Sequence, residues 1–392
     1  MRVASLFLSL GLLHGADVAV GTAAARPGEK VTGFIQVPAG VDAPLDIPVI
    51  VVNGSHPGPT LALLAGAHGT EYASIIALMK LAAAADPSTV SGTLIVLPLL
   101  NVASFLQKVP HLNPVDGKNM NRLYPGKADG TQTERALWAI TKQVLEKCDY
   151  LIDFHGGDLD ENMRRYSYWP DTGDQRLDAS SRGMVLAFGF DHIIIQHNRP
   201  NDARTPGVTT ATRQAQNLGK PAIAVEAGHA GTTQAEDVDA LMAGCWQVMR
   251  HLKILPGAVT PVEHPLWIGR YAVVASDRDG VFFPLVVPEA YVKQGTRLGY
   301  MTDYFGNKVW DVTGAAIGRS DLRRRRAIHE ERGQRSLYRR DRGRWEIALT
   351  SRFRPPGRWS PKTRWERRWP GFRSGSCRPG WQPRLPKLHA RS

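Results

Sequence analysis

The stretch "LALLAGAHGTEYASIIALM", residues 61–79, contains an apolar run that ends at Gly66 and a second apolar run that begins at Tyr72. The first run has the composition of a buried strand, and the second has the composition and apolar spacing of a helix. His68 and Glu71 lie between the two runs, three residues apart. The stretch therefore predicts a strand-to-helix junction that carries two potential metal ligands.

The same alternation continues along the chain. Apolar runs typical of buried strands ("GTLIVLPLLN" at 92–101, "DYLIDF" at 149–154, "KPAIAV" at 220–225) are separated by segments with helical composition. Strands that alternate with helices predict an α/β fold with a doubly wound, mostly parallel sheet, and such sheets bind ligands beyond the carboxyl ends of their strands. His68, His155 and Glu226 each follow an apolar run, so all three are expected at that edge.

These residue types fit a single-zinc hydrolase, which needs three protein ligands and an open fourth position. His68 and Glu71 can turn toward one ion, and His155 can reach it from a neighbouring strand end. Asp153 is a candidate to orient an imidazole from behind, as carboxylates commonly do for metal-bound histidines. Glu226 remains as the general base that takes a proton from water.

The polar segment "NPVDGKNMNRLYPG", residues 113–126, follows the strand that ends near Asn101. Arg122 in such a loop is suited to holding a substrate carboxylate through two hydrogen bonds, and Asn121 lies beside it. The alternative for Arg122 is a solvated loop charge.

Four motifs in a fixed order, "AGAHGTEY", "NMNRLYPG", "DFHGG" and "AVEAG", resemble the succinylglutamate desuccinylase/aspartoacylase family of zinc hydrolases, which is related to the zinc carboxypeptidases. The resemblance covers roughly residues 30–318. It implies a zinc-carboxypeptidase-like, doubly wound mixed sheet. The segment "DGVFFPLV…VKQGTRLGYMTDYFGN" resembles the family's small C-terminal β domain, a barrel-sandwich hybrid.

The resemblance also implies roles for individual residues. His68, Glu71 and His155 match the metal ligands, Glu226 matches the catalytic glutamate, and Asn121 and Arg122 match the substrate-binding pair. One Zn²⁺ per chain is implied; it polarises the carbonyl and lowers the pKa of a water toward about 7, and Glu226 shuttles the proton.

One feature of the family is missing from this sequence. Aspartoacylase-like members carry a further Arg shortly before the Asn-Arg pair, where it polarises the scissile carbonyl. The corresponding segment, "KVPHLNPVDGK" at 108–118, has no Arg. The candidates to replace it are His111, Lys108, Arg164 and Arg165.

The sequence favours a zinc-dependent deacylase (amidohydrolase) that cleaves an N-acyl amide or related bond of a small, carboxylate-bearing substrate. A zinc carboxypeptidase that acts on peptides is the alternative, since both activities use the same ligands and base. A non-enzymatic protein with a structural zinc fits less well, because a glutamate beside an open metal position indicates catalysis. The sequence does not define the oligomeric state.

Charged residues are distributed unevenly along the chain. Residues 319–392 hold 23 Lys and Arg against 6 Asp and Glu, whereas the rest holds 26 against 30. The body is therefore mildly acidic, and no nucleic-acid partner is expected for it. The Arg/Trp-rich tail is interpreted as an out-of-frame translation or a disordered segment, with nucleic-acid binding as the alternative.

The N-terminal segment "MRVASLFLSLGLLHGADVAVGTAAA" places one Arg before an apolar run and small residues, as in a secretory signal peptide. Export to the periplasm or the outside is expected, with a cytoplasmic location as the alternative, and no later segment is apolar enough to span a membrane. Three widely spaced cysteines exclude a disulfide framework and a cysteine zinc site. The predicted division is a signal peptide at 1–25, a catalytic domain at 26–258, a truncated β domain at 259–318 and the tail at 319–392.

Overall fold

We describe the protein from a computed structural model, which covers residues 16–199, 209–276, 278–288 and 290–314, and the backbone of 334–338 and 345–351. Six α-helices are present in these residues: α1 (Tyr72–Ala84), α2 (Val102–Gln107), α3 (Gln132–Ile140), α4 (Gln175–Phe188), α5 (Ala211–Asn217) and α6 (Ala235–His251). The strands are β1 (Val18–Val20), β2 (Ala23–Ala25), β3 (Glu29–Val37), β4 (Leu45–Asn53), β5 (His56–Ala65), β6 (Ser91–Leu97), β7 (Tyr150–His155), β8 (Tyr166–Asp171), β9 (His192–His197), β10 (Ala222–Glu226), β11 (Leu266–Ile268), β12 (Val281–Pro284), β13 (Tyr291–Val292), β14 (Arg297–Thr302), β15 (Lys308–Thr313), β16 (Gln334–Tyr338) and β17 (Trp345–Ser351).

Nine strands form one sheet in the order β11-β9-β8-β10-β7-β5-β6-β4-β3. Five neighbouring pairs in this sheet are parallel, and three are antiparallel: β8 with β10, β4 with β6, and β3 with β4. The α/β class and the mixed sheet are confirmed. The two antiparallel regions make the sheet less purely parallel than the alternation of strands and helices alone had predicted.

Both faces of the sheet are buried. In β5, Leu61, Leu63 and Ala65 pack with α1, α4 and α6 on one face, whereas Ala62 and Leu64 pack with α3 and α5 on the other. Successive side chains of a strand point to opposite faces, so a strand covered on both sides must be apolar at every position. This explains the continuous apolar runs in the sequence.

The central strands end together at one edge of the sheet. Strand β7 is parallel to both β5 and β10, so that Ala65 lies beside Phe154, and His155 lies beside Glu226. Beyond β5 the chain turns through Gly66, whose φ of 68° favours glycine. At Gly69 an added Cβ would lie 2.3 Å from the backbone nitrogen of Phe105, so only glycine fits there. The two glycines thus permit the tight junction that carries His68 and Glu71.

The C-terminal part contains two small antiparallel sheets, β12-β14-β15 and β13-β17-β16. Val292, Leu298, Met301 and Val312 form their own apolar cluster. Strand β11 lies past residue 258 but pairs with β9 in the large sheet. The large sheet therefore extends beyond the predicted boundary, and the division into domains at 258/259 stays a prediction.

The two ends of the chain bear on two other predictions. Val20, Ala23 and Ala25 are buried in the core, so cleavage after residue 25, the end of the predicted signal peptide, would remove core residues. Residues 1–15 and most of the tail after 314 lie outside the described residues, so the signal peptide and the origin of the tail stay predictions. Among the described residues, no helix combines the length and the apolar character required to cross a bilayer.

Candidate active site

Two histidines from different elements meet at the carboxylate of Glu71. The Nδ1 atom of His68 lies 2.6 Å from Oε1 of Glu71, and the Nδ1 atom of His155 lies 2.9 Å from Oε2. All three side chains are buried, and their potential ligand atoms lie within 4.8 Å of one another. The structure therefore brings together the three residues that the sequence predicted as metal ligands.

The outer nitrogen of each imidazole contacts an oxygen acceptor. The Nε2 atom of His68 lies 3.2 Å from Oδ1 of Asn119, and the Nε2 atom of His155 lies 3.0 Å from Oδ2 of Asp153. For His68, an Nε2–H that donates to Asn119 leaves the lone pair of Nδ1 directed toward Glu71, which is the arrangement typical of metal-binding histidines. Two imidazole nitrogens and one carboxylate are also the donor set of several catalytic zinc sites, so these residues fit a zinc ion.

The charges at this cluster act strongly on one another. Burial alone would raise the pKa of Glu71, but the adjacent His68 and His155 imidazoles lower it to well below its usual range. Burial alone would lower the pKa of His155, but the Asp153 and Glu71 carboxylates raise it well above its usual range. In the metal-free protein, a proton on His155 therefore balances part of the negative charge of Glu71 and Asp153. A bound metal cation would take over this role.

Glu226 ends β10 directly beside His155, and neighbouring residues in register project from the same face of a sheet. Its side chain is half-buried. Burial raises the pKa of Glu226 well above its usual range; His155 opposes this rise, whereas Glu71 and Glu161 add to it. A carboxyl group with a raised pKa beside a metal site has the properties of a general base and acid.

Asn121 and Arg122 lie on the other side of His155. The Nδ2 atom of Asn121 lies 3.2 Å from Oδ2 of Asp153 and 2.8 Å from Nε2 of His155, and its Oδ1 accepts from the backbone N–H of Ala211 at 2.9 Å. Arg122 is half-buried, and its Nη1 donates to the carbonyl of Asn121 at 2.7 Å. Asn121 thus supports the Asp153–His155 pair, and its role in substrate binding stays a prediction.

Asp158 connects three loops around the site, a role that the sequence did not indicate. Its Oδ1 accepts a hydrogen bond from Thr70, between His68 and Glu71, and its Oδ2 accepts from the backbone N–H of His111 at 2.9 Å. His68, His111 and Asp158 also form a second group of potential metal ligands. In this second group, however, the Asp158 carboxylate already accepts hydrogen bonds from Thr70 and from the backbone of His111.

The four residues that could replace the missing Arg occupy different environments. The Nε2 atom of His111 lies 2.8 Å from Asp160, and its Nδ1 atom lies 2.9 Å from Asp158. Arg164 pairs with Asp191 at 3.4 Å, and Arg165 pairs with Asp237 at 2.8 Å. Lys108 is exposed at the end of α2. In the described part of the chain, His111, Arg164 and Arg165 each contact a carboxylate, whereas Lys108 contacts none.

Sequence comparison identifies two similarities. Residues 57–252, half of the chain, match the profile of the succinylglutamate desuccinylase/aspartoacylase catalytic domain. A curated protein of Halomonas elongata, N-alpha-acetyl-L-2,4-diaminobutyric acid deacetylase, is 30% identical over 239 residues, which cover 59% of this chain and 67% of that protein.

Two solved structures have a similar fold. The product-bound structure of the ectoine utilization protein EutE (DoeB) from Ruegeria pomeroyi superposes with a TM-score of 0.69 and 22% identity, over 86% of this chain and 98% of that one. A succinylglutamate desuccinylase/aspartoacylase from Rhodobacter sphaeroides superposes with a TM-score of 0.65 and 22% identity, over 82% and 96%. At this level of identity the two structures support the fold.

Proposed function

Because this chain belongs to the succinylglutamate desuccinylase/aspartoacylase family of hydrolases, we propose that it is a zinc-dependent deacylase that cleaves the N-acyl amide bond of a small substrate bearing a carboxylate. The observation that carries the proposal is the meeting of His68 and His155, through their Nδ1 atoms, at the carboxylate of Glu71. A bound zinc ion would supply Lewis acidity and lower the pKa of a water to near neutrality.

The remaining chemistry is assigned to residues of the chain. Glu226 accepts a proton as the water oxygen forms a bond to the carbonyl carbon, and it returns this proton to the nitrogen as the C–N bond breaks. The products are a carboxylate and an amine. Burial raises the pKa of Glu226 well above its usual range, which favours the return of the proton to the leaving nitrogen.

The substrate is proposed to be an N-acetylated amino acid with a second, free amine. The Halomonas relative is named for such a compound, which carries one carboxylate and one ammonium group. Carboxylates dominate around the candidate site: Glu71, Asp153, Asp158 and Glu161 are buried, and Glu226 is half-buried. An ammonium group would be attracted by this excess of negative charge, and Arg122 is the proposed partner of the substrate carboxylate.

The carboxypeptidase alternative gains no support from the described residues or from the curated relative, whose activity is deacetylation. A carboxypeptidase cleaves a peptide bond, whereas the deacylase cleaves the amide bond to an acyl group. Two different substrates therefore distinguish the two activities. A blocked dipeptide with a free C-terminal carboxylate tests the peptidase, and Nα-acetyl-L-2,4-diaminobutyrate tests the deacylase.

The first experiment measures zinc content and hydrolysis of the full chain beside two variants, His68→Ala and His56→Ala. His56 is an exposed histidine at the opposite end of β5, so its replacement is the matched control. We expect about one zinc per chain in the wild type and in His56→Ala, and none in His68→Ala. A wild-type chain that takes up no zinc and hydrolyses neither substrate would refute the proposal.

A substrate pair tests the free amine. N-acetyl-L-norvaline has a side chain of the same length as Nα-acetyl-L-2,4-diaminobutyrate but lacks the charge. We expect kcat/KM to be at least tenfold lower for the norvaline compound, and equal values would contradict recognition of an ammonium group.

We further propose that the N-terminal segment directs export, on the basis of its single Arg and apolar run. Fractionation of cells that express the full chain tests this proposal. An N-terminus beginning before Val18 in a periplasmic product would agree with the burial of Val20, whereas retention in the cytoplasm would contradict export.

A further inference from the structure

Amide hydrolysis places negative charge on the carbonyl oxygen, and a hydrogen-bond donor aimed at that oxygen is usually among the largest contributions to catalysis. The sequence lacks an Arg between residues 108 and 118 that could act as this donor. His111, Arg164 and Arg165 are each paired with a carboxylate. Lys108, the fourth candidate, is exposed at the end of α2. We therefore consider other described residues beside Glu226 as the donor.

The register of three strands places a tyrosine beside Glu226. In β10, Glu226 lies opposite His155 of β7 on one side and opposite Tyr166 of β8 on the other. Residues in register on neighbouring strands project from the same face. His155, Glu226 and Tyr166 thus form one row of side chains at the carboxyl end of β10.

A second row lies two residues further from this end, where Ala224 has Asp153 and Tyr168 as its neighbours. The short side chain of Ala224 stands between these two larger side chains in the row. Ala224 is 8% exposed, and Tyr166 is 4% exposed. The row that holds Tyr168 lies next to the row that holds Tyr166 and Glu226.

The ring of Tyr166 is held in place by its packing. Its centroid lies 5.2 Å from that of Tyr168, edge to face, and Met163, Ile194 and Ile268 complete the same apolar cluster. The two hydroxyl oxygens are 3.4 Å apart, which is longer than the usual O–H···O hydrogen bond of 2.5–3.0 Å. A fixed ring with a weakly engaged hydroxyl is a preorganised donor.

The hydroxyl of Tyr166 also keeps its proton. Burial raises the pKa of Tyr166 well above its usual range, and the charge of Glu226 raises it further. A neutral phenol at neutral pH can donate a hydrogen bond, whereas a phenolate cannot.

We propose that the Tyr166 hydroxyl donates a hydrogen bond to the carbonyl oxygen of the scissile amide and stabilises the negative charge of the tetrahedral intermediate. This inference rests on the proposed function. The hydroxyl transfers no proton: the proton of the attacking water goes to Glu226 and then to the leaving nitrogen. Tyr166 would thus take the role for which the family uses an Arg that this chain lacks.

The test is Tyr166→Phe, which keeps the ring and removes the hydroxyl. Tyr150→Phe is the matched control, because Tyr150 begins β7 at the opposite end of the sheet. We expect kcat to fall about 100- to 1,000-fold in Tyr166→Phe, with KM changed less than threefold and zinc content unchanged. Tyr150→Phe should keep the wild-type kcat.

Binding of a tetrahedral analogue separates this role from a structural one. A phosphonamidate analogue of the N-acetyl substrate should bind Tyr166→Phe more weakly by about the same factor as the loss in kcat, whereas the product amino acid should bind with unchanged affinity. Equal losses for analogue and product, or a kcat within threefold of the wild type, would overturn the inference. Loss of zinc together with kcat would also overturn it.

A second substitution covers the case in which Tyr166→Phe fails to fold. Site-specific 3-fluorotyrosine at position 166 alters the acidity of the hydroxyl and leaves the packing nearly unchanged. We therefore expect kcat to change and the melting temperature to stay the same. An unchanged kcat would contradict the inference. An inactive, zinc-free wild type refutes the proposed function itself, whereas an active wild type with an unimpaired Tyr166→Phe refutes only the role of Tyr166.

Discussion

Oδ2 of Asp153 lies 3.0 Å from Nε2 of His155, two residues further along the same strand. Residues two apart in a strand share a face, so the carboxylate stands directly behind the imidazole. Oδ2 of Asp153 also accepts from Asn121 at 3.2 Å. The orientation of a candidate metal ligand is thus fixed by one carboxylate, which is in turn held by a loop amide.

This relationship predicts graded effects on zinc affinity. His155→Ala removes a ligand, and we expect it to abolish stoichiometric binding. Asp153→Asn leaves the ligand in place but weakens the acceptor behind it, and we expect the Kd for zinc to rise about 10- to 100-fold. Competition with a chelating indicator measures both constants. Equal Kd values for wild type and Asp153→Asn would show that the contact does not support the metal.

Glu226→Gln separates metal binding from turnover. The amide has nearly the shape of the carboxylate but cannot take a proton, so we expect full zinc content and a kcat reduced by at least about 100-fold. Glu236→Gln, in the first turn of α6, is the matched control and should keep wild-type activity. Steady-state kinetics gives kcat and elemental analysis gives the zinc content of the wild type and the two variants. Full activity in Glu226→Gln would exclude Glu226 as the base.

The metal-free protein should lose stability as the pH rises. The pKa of His155 is raised in the folded state, so its contribution is complete below the unfolded pKa of about 6.5 and is lost as the pH rises through the folded pKa. The raised pKa of Glu226 acts in the same direction, because deprotonation favours the unfolded chain above about pH 4.5. Glu71 has a lowered pKa, so its contribution is present above about pH 4.5 and is lost on acidification.

For these groups together, stability without metal should be greatest near pH 4.5 and should fall as the pH rises, first through Glu226 and above about pH 6.5 also through His155. Thermal unfolding of chelator-treated protein from pH 6 to 9 should show a falling Tm, and His155→Ala should flatten this decline. Zinc should raise the Tm more at pH 8 than at pH 6, since deprotonated ligands bind it better. A Tm that rises with pH in the metal-free protein would contradict the assigned charges.

The strand–helix alternation and the proximity of the three candidate ligands could be predicted from the sequence, because each depends on local patterns. An apolar run followed by glycine and a polar residue marks the end of a buried strand, and parallel strands bring such ends to one edge. This rule predicted that His68 and His155 lie close together, and the short spacing between His68 and Glu71 added the third residue.

Contacts between distant loops could not be predicted in the same way. Asn119 lies 51 residues from His68, and no local pattern marks it as the acceptor of the imidazole. Strand β8 reads "YSYWPD", which contains a proline and polar residues, so it lacks the apolar run of the other central strands. Its antiparallel pairing with β10 depends on register, and this register is what places Tyr166 beside Glu226.

Lys30 is predicted to stabilise the end of helix α1. Its Nζ donates to the carbonyl oxygens of Ala82, Ala83 and Ala85 at 3.0, 2.8 and 2.9 Å, and these carbonyls have no partner within the helix. Lys30→Met should lower the free energy of unfolding by about 1 kcal/mol, because a largely exposed cation is screened by water. Lys80→Met, an exposed site on the same helix, should cost less than about 0.5 kcal/mol. Urea denaturation measures both values, and equal losses of unfolding free energy would exclude a stabilising role of Lys30 at the end of α1.

The cysteine thiols of the folded body should be unreactive. Cys148 and Cys245 are fully buried and unpaired, and burial raises the pKa of Cys148 to about 12 and that of Cys245 further still. Because the thiolate is the reactive form, neither residue should react with a disulfide reagent at pH 8 in the native protein. We therefore expect Cys377→Ser to show no reactive thiol when native and two after denaturation. Rapid modification of a native thiol in this variant would mean that the apolar core on one face of the large sheet opens in solution.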